Sequence, residues 1–178
     1  MNYATIKKYD VANGPGVRVS LFVSGCTHGC KNCFNKEAWD FNYGNAFSEQ
    51  TAEEIYTALN KEYIMGFSLL GGEPFEPQNQ ETLVSLLREI KRRFPQKTIW
   101  CYTGYTLDKD LWQDSRARTA VTDEMLSYID ILVDGEFVEE LKNLSIRFRG
   151  SSNQRIIDVQ KSLASKKVVT LADDEIQP

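Results

Sequence analysis

Three of the four cysteines in this chain lie close together, at Cys26, Cys30 and Cys33, with the spacing C-x3-C-x2-C. A four-iron, four-sulfur cluster normally takes four protein thiolates, so three thiolates leave one iron open to a small molecule. An open metal position is typical of a catalytic site rather than of a structural one. The spacing therefore predicts a cluster-binding loop that leaves room for a ligand.

The same loop has a second interpretation, a zinc site that takes Cys101 or His28 as its fourth ligand. Zinc sites usually combine two ligand pairs, and the sequence has no second pair of this kind. Cys101 lies between Trp100 and Tyr102, in an apolar segment where an ordinary buried thiol is expected. The spacing favours the iron–sulfur cluster, and a zinc-stabilised interaction module without catalysis is the alternative of another class.

The composition narrows the possible classes of protein. The chain has 178 residues, 42% of them hydrophobic, which is enough for one domain with a core. A net charge of −4 does not suit a nucleic-acid partner, which needs a basic surface. No apolar run approaches the about 20 residues of a membrane span, and residues 1–10 lack the apolar region of a signal peptide. We therefore expect a cytoplasmic protein with neither nucleic acid nor membrane as a partner.

Strands and helices alternate along the predicted fold. Apolar residues alternate with others from Val17 to Val23, which is the period of a strand. Further strands are predicted at 67–70, 98–103 and 129–134, and two more near 144–148 and 154–159. Helices are predicted at 51–63, where Thr51 and Glu54 would form a capping box, at 83–94 before Pro95, at 122–128 and near 137–142.

This alternation predicts an α/β fold with a mostly parallel, curved sheet and helices outside it. A strand–helix–strand unit needs about 30 residues, so the chain has room for roughly six strands. A closed eight-stranded barrel usually needs about 250 residues. We expect an incomplete (β/α)6-type partial barrel, and a doubly wound sheet is the competing architecture.

Residues capable of chemistry follow the predicted strands. Cys26 follows the first strand, Gly71, Gly72 and Glu73 the second, Thr103 the third, and Asp134 the fourth. Because active sites of parallel α/β folds lie at the carboxyl ends of the strands, these residues are expected to share one rim.

Two motifs carry a resemblance to a known family. The cysteine spacing with Phe34 directly after it resembles the signature of the radical S-adenosylmethionine enzymes. The sequence Gly-Gly-Glu-Pro at 71–74 is similar to that family's second motif, in which glycines allow close approach of a ligand and the glutamate is a charged acceptor. The resemblance implies a [4Fe-4S] cluster on the three cysteines and S-adenosyl-L-methionine on the fourth iron.

Further segments resemble a narrower group, the enzymes that activate glycyl-radical proteins, and within it the activating components of anaerobic ribonucleoside-triphosphate reductases. These segments are 13–18 (NGPGVR), 32–35 (NCFN), 100–105 (WCYTGY), 134–135 (DG) and 149–155 (RGSSNQR). The resemblance covers residues 1–158, which we interpret as a radical S-adenosylmethionine domain, and leaves 159–178 as a C-terminal tail of unknown role.

The resemblance also implies roles for particular residues. Cys26, Cys30 and Cys33 would bind the cluster. The cofactor-binding residues would be Asn32, Cys33, Phe34, Gly71, Gly72, Glu73, Thr103 and Asp134. Among these, Phe34 would lie near the adenine and Gly72 near the methionine part.

The activity implied is the reductive cleavage of S-adenosyl-L-methionine and the generation of a glycyl radical on the large subunit of the reductase. The electron would come from reduced flavodoxin or ferredoxin, as in the family. A radical enzyme that acts on another glycyl-radical protein or on a small molecule is the close alternative.

Overall fold

The computed structural model describes residues 1–176, which form one seven-stranded sheet with helices packed on it. The strands are β1 (Asn2–Asp10), β2 (Val17–Val23), β3 (Asn45–Ala46), β4 (Ile64–Gly71), β5 (Thr98–Tyr102), β6 (Ile131–Asp134) and β7 (Arg155–Asp158). The α-helices are α1 (Glu49–Leu59), α2 (Pro77–Arg93), α3 (Thr122–Tyr128) and α4 (Val159–Ser165). No helix of the described part is both long and apolar enough to cross a bilayer.

The centre of the sheet is parallel and its flanks are antiparallel. The strand order is β3-β1-β2-β4-β5-β6-β7, in which β2, β4, β5 and β6 run parallel to one another. β1 and β7 pair antiparallel with the outer two of these strands, and β3 with β1. The α/β prediction is confirmed. In a doubly wound sheet the order of the strands across the sheet reverses at one point. Here the parallel strands β2, β4, β5 and β6 lie across the sheet in the order of the sequence, so the doubly wound alternative is wrong.

The helices cover one face of this sheet. Val19, Leu21 and Val23 of β2 are fully buried and belong to one apolar cluster that includes Ile55 of α1 and Leu87 of α2. This face is the apolar one that the alternation of β2 predicts. Burying these side chains contributes about 1.5–3 kcal/mol each to folding, so the cluster is the main source of stability.

The opposite face of β2 is buried as well, although it carries a cation. Arg18 is fully buried, and its guanidinium donates hydrogen bonds to Ser68 Oγ at 2.7 Å, to Thr98 O at 2.8 Å and to Phe67 O at 2.9 Å. Burial lowers the pKa of Arg18 to about 10, which leaves the group charged at neutral pH. Neutral oxygens thus stabilise a cation that has been removed from water.

The C-terminal segment packs on this second face. Trp100, Val133 and Ile156 form a small apolar cluster with Ile176, which is 6% exposed. Leu171 donates its backbone N–H to the carbonyl of Ile156 at 2.8 Å. Within the predicted tail, residues 159–165 form α4 and 171–176 contact the sheet, while residues 177–178 lie outside the described part.

Some predicted elements differ from the structure. The strand predicted at 144–148 is wrong. These residues lie in the loop that the bridge between Lys142 and Ser151 closes, and Leu144 in this loop is 90% exposed. The outer side of β6 is paired with β7, so the segment 144–148 cannot pair with β6. The short helix predicted near 137–142 is reduced to a 3-10 turn at Glu139–Leu141.

The start of α1 also differs from the prediction. Ser48 is the N-cap and exchanges hydrogen bonds with Thr51, which makes the predicted Thr51–Glu54 capping box wrong. Glu54 instead forms an ion pair with Lys8 at 2.9 Å. Three elements, β1, β3 and α4, were not predicted. Most side chains of β1 are only half-buried or exposed, so its pattern in the sequence is weak.

We expect Ile176→Ala to destabilise the cluster-free protein by about 2 kcal/mol, because it removes a buried side chain that packs on Trp100. Val11→Ala, at a position 72% exposed, is the control and should change stability by less than about 0.5 kcal/mol. Urea unfolding of both variants measures the difference. Equal stability of the two variants would show that the C-terminal segment does not support the sheet.

Candidate iron–sulfur and cofactor site

A cavity of ≈490 Å³ opens at the carboxyl ends of the parallel strands. Its walls come from the cysteine loop after β2, the loops after β4 and β5, and the segment between β6 and β7. The predicted site residues among its lining are Cys26, Cys30, Asn32, Cys33, Phe34, Gly71, Gly72, Glu73 and Thr103. The expectation of one shared rim therefore agrees with the structure for every predicted site residue except Asp134.

The three cysteines of the loop are free and half-buried. The backbone N–H of Cys33 donates to the carbonyl of Cys30 at 3.1 Å, and Asn32 between them has a left-handed φ of 55°. Burial, with smaller contributions from the charges of Glu73 and Glu76, raises the pKa of Cys26 to about 12. This thiol is protonated at neutral pH, so binding a metal would require the loss of its proton.

The Gly-Gly-Glu loop holds the start of the cysteine loop against β4. Gly72 donates its N–H to the carbonyl of Val23 at 2.7 Å, and Glu73 donates its N–H to the carbonyl of Gly25 at 2.8 Å. A Cβ atom on Gly72 would lie 2.6 Å from the Gly25 oxygen. Glycine at 72 is therefore required by the close approach of two backbone segments, independently of any ligand.

The Glu73 side chain is buried in this wall, with 1% of its surface exposed. Its Oε1 accepts hydrogen bonds from the N–H of Phe75 at 2.9 Å and from the hydroxyl of Thr103 at 2.8 Å. Its Oε2 accepts from the N–H of Gly104 at 2.8 Å and contacts Nε2 of His28 at 3.0 Å. The carboxylate thus joins the loop after β4, the end of β5 and the cysteine loop.

His28 fills the space between the cysteine loop and the end of β5. Its Nδ1 lies 2.6 Å from Glu136 Oε1, its Nε2 contacts Glu73, and its ring packs 4.5 Å from the ring of Tyr105. Burial lowers the pKa of His28, but hydrogen bonds and charges of Glu73 and Glu136 outweigh this and raise it. Because both ring nitrogens are engaged, neither is free to bind a metal in this arrangement.

Glu76 and Thr27 belong to the same wall and were not singled out from the sequence. Glu76 is 4% exposed, and its Oε1 accepts from the backbone N–H of Thr27 at 2.8 Å and from its hydroxyl at 2.6 Å. The sequence shows only that Glu76 follows Glu73 by three residues and that Thr27 lies between two cysteines. Neither residue type identifies such a contact without the structure.

The remaining predicted site residues occupy different positions. Thr103 lines the cavity, but its hydroxyl donates to Glu73. Asp134 is fully buried and lines a neighbouring cavity of ≈400 Å³, where it accepts hydrogen bonds from Arg155 Nε at 2.9 Å and Leu107 N at 2.8 Å. Phe34 lies at the mouth of the first cavity and is 85% exposed. Their contacts with a cofactor stay predictions.

Cys101 is separated from this site. It is fully buried in the apolar cluster on the helix-covered face of the sheet, where burial raises the pKa of its thiol. Within residues 1–176, no group of three or more His, Cys, Asp or Glu side chains is arranged to hold a single metal ion. The zinc interpretation requires Cys101 or His28 as the fourth ligand, but Cys101 is not part of the cavity lining and both ring nitrogens of His28 contact glutamates.

The match to a family model defines the class of this protein: a 4Fe-4S single cluster domain matches residues 12–157. Three cysteines in the lining of one cavity suit such a cluster, which takes cysteine thiolates as its ligands. The cluster prediction is thus confirmed at the level of the family, and the region matched includes the whole wall described above.

Curated relatives then identify the family. An anaerobic ribonucleoside-triphosphate reductase-activating protein of Enterobacteria phage T4 is 42% identical over 156 residues, which cover 88% of this chain and 93% of the relative. The protein of the same name from Haemophilus influenzae is 44% identical over 158 residues, 88% and 97% of the two chains. That of Escherichia coli K12 is 42% identical over 156 residues, 86% and 96% of the two chains. The chain belongs to the family of anaerobic ribonucleoside-triphosphate reductase-activating proteins.

We expect Cys26→Ala, Cys30→Ala and Cys33→Ala each to lose most of the iron and sulfide that the protein binds on anaerobic reconstitution, because each removes one of three ligands. Cys101→Ala is the matched control and should keep the full content, since this thiol lies in the core. Iron and sulfide assays of the four variants measure the effect. Loss of the cluster in Cys101→Ala, with normal folding, would restore the four-ligand interpretation.

Proposed function

We propose that this protein activates the large subunit of an anaerobic ribonucleoside-triphosphate reductase by generating a glycyl radical on it. The observation that carries the proposal is that three half-buried cysteines and the Gly-Gly-Glu loop line the same cavity. The names of the relatives supply the kind of partner. The cavity brings the three cysteines and the Gly-Gly-Glu loop together, which supports the proposed radical S-adenosylmethionine chemistry.

The proposed roles of the residues follow from their positions. Cys26, Cys30 and Cys33 would hold the [4Fe-4S] cluster and would leave one iron open to S-adenosyl-L-methionine. When bound, the cluster and S-adenosyl-L-methionine would supply the one-electron cleavage chemistry by which a hydrogen atom is removed from the glycine. Backbone groups of Gly71 and Gly72 line the cavity and are proposed to contact the methionine part.

The protein itself has to orient the reacting groups and exclude water. The apolar lining includes Leu70, Phe137 and Phe148, which provide a dry wall beside the cysteines. The mouth is different, because Phe34 and Leu144 are 85% and 90% exposed there. Exposed apolar side chains at the entrance of a reactive site favour a partner protein that covers them.

The proposal also includes the architecture of the sheet. The finer prediction, an incomplete (β/α)6-type partial barrel, would leave the cavity open on one side. A macromolecular substrate would then supply the missing wall by inserting its glycine-bearing segment between Phe34 and Leu144. Reduced flavodoxin or ferredoxin as the electron donor, and a cytoplasmic location, complete the proposal.

The proposal predicts that the large subunit stimulates cleavage of S-adenosyl-L-methionine, because the partner is needed to close the cavity. Under anaerobic conditions with a reductant, 5′-deoxyadenosine formation should rise when the subunit is added, and electron paramagnetic resonance should detect a glycyl radical. Cys30→Ala in place of the parent protein is the control and should give neither signal.

Equal 5′-deoxyadenosine formation with and without the subunit, and no glycyl radical, would contradict the proposal. Cleavage stimulated only by a different glycyl-radical protein would contradict the assignment of the partner and leave the chemistry in place.

A further inference from the structure

The part of the cysteine loop between the first two cysteines is fixed by side-chain contacts at two consecutive residues. Thr27 donates two hydrogen bonds to Glu76 Oε1, from its N–H at 2.8 Å and from its hydroxyl at 2.6 Å. His28 contacts Glu73 Oε2 through Nε2 at 3.0 Å. The loop therefore rests on two carboxylates that come from one neighbouring segment, residues 73–76.

Both carboxylates are buried. Glu76 does not cap the helix that it precedes, and the oxygens of Glu73, which the sequence predicts to contact the cofactor, are engaged by protein groups. Glu76 is the N-cap residue of α2, yet its side chain makes no capping hydrogen bond and contacts the cysteine loop instead. The preferred side chains at an N-cap are those of serine, threonine, aspartate and asparagine, and glutamate is not among them. The Glu76 side chain instead contacts a residue 49 positions away in sequence.

Glu73 has no hydrogen-bonding capacity left for a ligand of the usual kind. Each of its oxygens contacts two groups, and these are Phe75 N and Thr103 Oγ1 on one oxygen, and Gly104 N and His28 Nε2 on the other. A carboxylate has about four lone-pair sites, and all of them are used here. The side chain therefore holds protein groups together, and its oxygens are already engaged although Glu73 lines the cavity.

We infer that Glu73 and Glu76 form a carboxylate clamp that positions the Thr27–His28 segment, so that Cys26 and Cys30 are held in place before a cluster binds. Glu73 is then a positioning residue, in contrast to the direct cofactor contact that the sequence predicts for it. The inference deepens the proposed function, because it concerns the loop that would bind the cluster. Its test uses cluster-free protein and does not depend on activity.

The first variant is Glu73→Gln, which keeps the shape of the side chain. The backbone N–H groups of Phe75 and Gly104 lie on different oxygens of Glu73. Whichever way the new amide turns, its NH2 group faces one of these donors, and a buried hydrogen bond is lost. The matched control is Glu53→Gln, which makes the same change in a glutamate that pairs with Arg93 on the surface.

The readout is cleavage by trypsin after Lys31, which is exposed and lies in the same loop. A protease needs the loop to open, so the cleavage rate follows the population of the open form when opening is fast. In cluster-free protein we expect Glu73→Gln to raise this rate about tenfold, as the loss of one buried hydrogen bond implies. Mass spectrometry identifies the cut, and reaction of the loop thiols with a disulfide reagent gives an independent rate.

A second pair of variants leaves the buried carboxylates in place. Thr27→Val keeps the size of the side chain and removes its hydroxyl, whereas Thr27→Ser keeps the hydroxyl that donates to Glu76. We expect Thr27→Val to raise cleavage about tenfold and Thr27→Ser to stay within about twofold of the parent protein. Recovery by serine separates the hydrogen bond from a role in packing.

Unchanged cleavage and thiol reactivity in both Glu73→Gln and Thr27→Val would overturn the inference, as would equal increases in Thr27→Val and Thr27→Ser. An equal increase in Glu53→Gln would attribute the effect to global stability and would also overturn it. None of these results bears on whether the intact protein generates a radical, so failure of the clamp and failure of the proposed function are distinguishable.

Discussion

The parallel pairing of β2 with β4 is the constraint on which the site depends. Val23 at the end of β2 pairs with Gly71 at the end of β4, so the cysteine loop and the Gly-Gly-Glu loop leave the sheet side by side. The N–H of Gly72 then reaches the carbonyl of Val23 at 2.7 Å. A slip of the register by one residue would turn every side chain of β2 to the other face and separate the two loops. Local sequence thus positions the site only because the core fixes this register.

Backbone groups and side chains hold different parts of the cysteine loop. Backbone hydrogen bonds attach the start of the loop to β4, and the buried carboxylates of Glu73 and Glu76 hold its next residues. Buried carboxylates are costly unless they are hydrogen-bonded, and here backbone N–H groups and hydroxyls satisfy most of their capacity. The protein places and shields the reactive groups, while the proposed cofactors supply the difficult chemistry.

The sequence predicted the parts of this molecule that depend on local pattern. The alternation in β2 and the spacing of Cys26, Cys30 and Cys33 are local, and strands β4 to β6 were found within a few residues. What it missed depends on contacts distant in sequence. Glu76 contacts a loop residue 49 positions away in sequence. Leu144 begins a segment of alternating apolar and polar residues that nevertheless does not join the sheet, and it is 90% exposed.

The central claim is a [4Fe-4S] cluster with three protein ligands and one iron open to S-adenosyl-L-methionine. The most direct measurement is electron paramagnetic resonance of the anaerobically reconstituted, reduced protein before and after S-adenosyl-L-methionine is added. We predict a protein that holds about four irons per chain and gives a cluster signal. This signal should change when the cosubstrate binds to the open iron. A signal that the cosubstrate leaves unchanged, together with evidence for a fourth side-chain ligand, would contradict the account.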